Sequence, residues 1–104
     1  MSDLIVILTT MPDDDRAREL ARTLVEERLA ACVNVHSTMI STYRWTDAVE
    51  VEPERQLVIK TTRARLADIE ARLRTLHPYE LPELVVLEAS ASAAYDRWVH
   101  GATA

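Results

Sequence analysis

The spacing of apolar positions changes several times along the chain, and each change predicts a new element. Residues 4–10, LIVILTT, form a short apolar run rich in β-branched side chains. That composition predicts a central strand ending at Met11-Pro12. Pro12 and the acids Asp13, Asp14 and Asp15 then suit the positive end of a helix. Ala17, Leu20, Ala21, Leu24 and Val25 recur at i, i+3, i+4 spacing, a buried helical stripe with charged residues outside it. From about Ala31 the period becomes two, through CVNVHSTMISTYRW, which predicts one long, mostly polar-alternating strand. Residues 56–62, QLVIKTT, predict another apolar strand, and the acidic stretch before it contains Pro53, which belongs at an edge or a bulge. Leu66, Ile69, Leu73 and Leu76 mark a second helix, stopped by Pro78. Residues 81–90, LPELVVLEAS, predict a last strand, and residues 92–100, SAAYDRWVH, a short closing helix.

The predicted order is βαββαβ with a helical tail. This is the α+β, ferredoxin-like arrangement, an antiparallel sheet with both main helices on one face. A long hairpin joins its second and third strands. No repeat, linker or low-complexity stretch divides residues 1–104, so one domain is expected. A fold of this kind hosts many activities and does not name one.

Charge and composition narrow the classes. A formal charge of -5 argues against a nucleic-acid partner, which needs a basic footprint. Lys60 is the only lysine. The single cysteine, Cys32, cannot form an internal disulfide and fits a reducing compartment. The opening residues lack the basic segment and the long apolar run of an export signal. No window reaches the length of about 18 apolar residues that a membrane span needs. The expectation is a soluble cytoplasmic protein with no membrane partner.

Several chemistries are absent from the sequence. With Gly101 as the only glycine, no glycine-rich loop exists to cradle a phosphate. The first loop, TTMPDDD, would repel an anion. Cys32 lies in AACVNV, an apolar setting that suits an inert thiol better than a nucleophile. His36, His77 and His100 have no ligand spacing of the HxxxH kind, so a metal site would have to be assembled from distant segments. Glu50, Glu52 and Glu54 recur every second residue and point to one side of a strand, either a solvated edge or a cation site.

Residues 77–83, HPYELPE, concentrate unusual chemistry in a connection. In physical terms they make a rigid corner, with two prolines and a tyrosine placed to anchor against something. As a pattern, HPYELPE resembles the signature of the CutA divalent-cation tolerance family. The strand end TTMPD, the passage LVEERLAACVNV, the arm STYRW, the stretch from Glu54 to Lys60-Thr61, and Tyr95 with Trp98 resemble the family in the same order.

The resemblance implies a ferredoxin-like subunit assembling as a homotrimer, with a role in tolerance of divalent metals, copper above all, and no established reaction. No cofactor is required, and a divalent cation such as copper would be weakly bound. Copper-binding members offer a cysteine at the end of the first strand and a histidine pair before Pro-Tyr; here these positions are Thr9 and Leu76-His77. Only His77 remains, with Glu54 as a nearby carboxylate, which predicts weak copper binding because the soft thiolate is missing. The family's W-x-G-K hairpin tip is replaced by Trp45-Thr46-Asp47-Ala48. A second set, Trp45, Glu54, Lys60, Tyr79, Tyr95 and Trp98, is expected at a cleft between subunits. It reads as trimer packing or, alternatively, as the site of a small-molecule sensor or enzyme centred on Lys60. The leading expectation is a trimeric, non-enzymatic tolerance protein.

Overall fold

A computed structural model describes residues 3–104. The elements are β1 (Leu4–Pro12), α1 (Arg16–Glu26), β2 (Cys32–Val35), β3 (Met39–Trp45), β4 (Ala48–Thr62), a 3₁₀ turn (Arg63–Arg65), α2 (Leu66–Leu76), β5 (Val85–Glu88) and α3 (Ala93–Ala102). The sheet runs β2-β4-β1-β5, with β3 also paired to β4. All pairings are antiparallel. The α+β, ferredoxin-like expectation holds.

The two helical stripes explain the layers. Ala17, Leu20 and Leu24 of α1 and Ile69 and Leu73 of α2 form one core with Ile5, Ile7, Met11, Leu57 and Ile59 of the sheet. Ile7 lies opposite Ile59, and Thr9 opposite Leu57, so odd positions of β1 and β4 share the helix side. Even positions take the other face, where Val6 meets Lys60 and Leu8 meets Val58. There α3 packs Val99 on Leu4 and Ala31 in a separate small cluster.

The long strand expected from about Ala31 to Trp45 is in fact two. Val35 pairs with Leu57 and Met39 with Glu54, so His36, Ser37 and Thr38 oppose only Arg55 and Gln56. One extra residue makes a bulge. It is held by Asp13 Oδ1, which accepts 2.8 Å from Thr38 Oγ1 and 2.9 Å from Arg55 Nε. The strand expected over 56–62 starts eight residues earlier, at Ala48. Pro53 tolerates this because that part of β4 has only β3 beside it, and Ile40 lies opposite. The last strand is shorter than expected, because residues 81–84 belong to the corner. Together β3 and β4 project as an arm, and the molecule measures 45 × 24 × 24 Å.

Candidate functional site

The corner after α2 is pinned from both sides of its histidine. His77 is buried. Its Nδ1 accepts the Tyr79 backbone N–H at 3.2 Å, so the ring proton sits on Nε2, which donates to the Thr10 carbonyl at 2.7 Å. Burial holds this imidazole below its ordinary pKa, against the weaker upward pulls of the Thr10 bond and of Glu54. The neutral ring is therefore a structural strut. Its ring meets that of Tyr79 with centroids 4.9 Å apart and planes tilted by 53°.

Tyr79 continues the chain of contacts. Its hydroxyl donates to Glu54 Oε2 at 2.7 Å, and Glu54 is only 7% exposed. Gln56, two residues along the same face of β4, donates from Nε2 to the Thr9 carbonyl at 2.7 Å and to Glu83 at 3.0 Å. The corner is thereby tied to β1 and to β4.

Between the corner and the arm lies a groove of about 1060 Å³. Met39, Tyr43 and Trp45 enter it from β3, Glu52 and Glu54 from β4, and Tyr79 from the corner. Pairing explains why: Met39 faces Glu54, Ser41 faces Glu52 and Tyr43 faces Glu50. The three glutamates at alternate positions share one side of β4, as the spacing predicts, and that side turns towards the groove.

Of the expected cleft residues, the single chain brings together Trp45, Glu54 and Tyr79. Lys60 stands apart on the sheet face that carries α3, opposite Val6 and Cys32. Tyr95 and Trp98 pair with each other on α3, ring centroids 5.4 Å apart. Tyr43 and Gln56 were not singled out in advance. Tyr43 is two residues from Trp45, and Gln56 two from Glu54, so period two was the available signal.

The positions tied to copper by resemblance are neighbours, with Thr9 Oγ1 3.4 Å from His77 Nε2. The donors do not fit a tight copper site. Thr9 supplies no thiolate, both ring nitrogens of His77 are engaged, and Glu54 is held by Tyr79. Among the described residues no group of three or more His, Cys, Asp or Glu side chains is placed to hold a metal ion.

Known proteins align with this geometry. The family model "CutA1 divalent ion tolerance protein" matches residues 5–102. The divalent-cation tolerance protein CutA of Thermus thermophilus is 42% identical over 95 residues, covering 90% of this chain and 92% of that protein. Its counterpart from Pectobacterium atrosepticum is 39% identical over 101 residues, covering 96% and 92%. The Thermus thermophilus structure superposes with a TM-score of 0.93 at 40% identity, covering 97% of this chain and 99% of that one. The CutA structure from Xylella fastidiosa gives 0.93 at 39% identity, covering 99% and 100%. A family model that matches residues 5–102, with relatives 42% and 39% identical along nearly the whole chain, places this chain in the CutA1 divalent ion tolerance family.

Proposed function

We propose that this chain works as a homotrimer that supports divalent-cation tolerance by binding and assembly, without catalysing a reaction. The observation that carries the assembly is the uncovered side of the arm. Ile40, Val49 and Val51 are 67%, 60% and 59% exposed and share the side of β3 and β4 away from the groove. Apolar area of this kind gains stability when a second surface removes it from water. The outer edge of β4 over residues 48–53 offers unpaired backbone groups beside it.

The non-enzymatic reading is supported by the state of the site. His77 is a neutral strut and Tyr79 a committed donor, so neither is free to move a proton for a substrate. A divalent cation, copper included, would meet carboxylates such as Glu54 and would be held weakly. The free thiol of Cys32 is consistent with a cytoplasmic setting.

A second reading rests on Lys60. Its ammonium makes no ion pair among the described residues, so a neighbouring subunit's carboxylate or an anionic ligand would complete it.

Light scattering at micromolar concentration tests the assembly: a mass three times 11.8 kDa is expected. A monomer would end the proposal. Copper calorimetry on the same sample should show only weak binding, and tight stoichiometric uptake would reject the reading of the site. If the Lys60 reading is right instead, Lys60→Met should abolish binding of a small anion while the mass stays unchanged.

A further inference from the structure

The groove between the arm and the corner is one-sided in its chemistry. Its volume of about 1060 Å³ is just above the range of roughly 300–1,000 Å³ common for small-molecule sites. The charged side chains on its wall are all carboxylates: Glu52, Glu54, Glu80 and Glu83. No lysine, arginine or histidine lines it among the described residues. Of the guanidinium groups around it, Arg55 is paired with Asp13 and Arg16 is forked onto Asp14, while Arg44, between Tyr43 and Trp45 on β3, does not line it.

The rest of the wall is aromatic and apolar. Tyr43 and Trp45 enter it while 41% and 42% exposed. Tyr79 is fixed in place by its bond to Glu54, so the third ring and the buried charge behind it are already oriented. Tyr43 senses the acids: its phenol is raised first by desolvation and then by Glu52, Glu50 and Glu54.

The dispersal of the charges matters. A metal ion needs several donors converging on one point, and no such group occurs among the described residues. A bulky cation with spread charge instead favours aromatic faces with negative charge around them.

We propose that this groove binds a small organic cation, an ammonium or guanidinium on an apolar body, with Tyr43, Trp45 and Tyr79 against the body and Glu52 and Glu54 near the charge. This ligand class differs from the divalent cations of the family, and the proposal requires that the groove stay open in whatever assembly the chain forms.

The test uses benzyltrimethylammonium and its neutral isostere, neopentylbenzene, on the full-length protein. Trp98→Phe leaves Trp45 as the sole tryptophan reporter. A saturable change in Trp45 fluorescence is expected with the cation, at least tenfold weaker with the isostere. Glu52→Gln, an exposed change, should weaken the cation at least threefold while light scattering shows the same mass. Equal binding of the two probes would overturn the proposal, as would no saturable change up to about 10 mM, a range covering even very weak sites. It would also fail if Trp45 changed only when the protein was diluted through dissociation, since a second copy would then fill the groove.

Discussion

Tyr79 and Glu54 are 25 residues apart in sequence and joined by a 2.7 Å hydrogen bond from phenol to carboxylate. Burial, and then the carboxylate itself, push the phenol well above its ordinary pKa. Tyr79 therefore remains a protonated donor throughout the physiological range.

Tyr79→Phe removes that donor and leaves a buried carboxylate without its partner. The expected loss of stability is about 1–3 kcal/mol, read as a lower urea midpoint at unchanged slope. Glu54→Gln in the same background should recover part of it, because an amide tolerates burial better than a charge. An unchanged midpoint in Tyr79→Phe would mean that the clasp contributes nothing.

His77 makes stability depend on pH in a known direction. Burial lowers its folded pKa, so the unfolded chain binds the proton more readily. Its contribution is complete above the unfolded value of about 6.5 and is lost as pH falls through the folded pKa. His77→Gln should flatten the decline in urea midpoint between neutral and mildly acidic pH. If the two profiles stayed parallel, the strut would not be titrating.

His100 titrates in the opposite sense. Its Nδ1 donates to the Asp96 carbonyl at 2.8 Å, and Nε2 lies 2.6 Å from Asp3 Oδ1. These contacts, the Asp96 bond first, raise its pKa. Its stabilisation is complete below the unfolded pKa and disappears as pH rises through the folded one. Asp3→Asn should lower the His100 pKa in an NMR titration and leave that of His77 in place.

Arg28 ends α1 in the left-handed region, with φ 59°. There the Leu29 and Ala30 amides both reach the Leu24 carbonyl. A side chain at this φ costs roughly 1 kcal/mol, which glycine avoids. Arg28→Gly should raise the urea midpoint; a lower one would show that the arginine side chain has a stabilising contact.

How much of this was legible follows from the type of signal each feature leaves. The core stripes of α1 and α2 and the apolar strands β1 and β4 repeat locally, so they could be read directly. The bulge at residues 36–38 could not, because it is one residue of excess held by Asp13, more than twenty positions away. The corner could be read as rigid from its two prolines, but the partners of His77 could not: they are the Thr10 carbonyl and the Tyr79 amide, and backbone groups leave no mark in a sequence. Period two placed Glu54 on one side of its strand with Glu50 and Glu52, and of these Glu52 and Glu54 line the groove. Lys60, Tyr95 and Trp98 were grouped with Trp45 by resemblance to an assembly, whereas a single chain holds them on different surfaces.

The bulge also has a mechanical consequence. Asp13 grips Thr38 and Arg55 where the arm leaves the body, the position a fulcrum would take if the arm tilted. The seven residues of β3 extend about 23 Å at strand rise. A tilt of about 5° at the fulcrum would therefore carry Trp45 sideways by about 2 Å at that rise. A shift of Asp13, remote from the hairpin in sequence but bonded to its base, would thus be magnified at the tip.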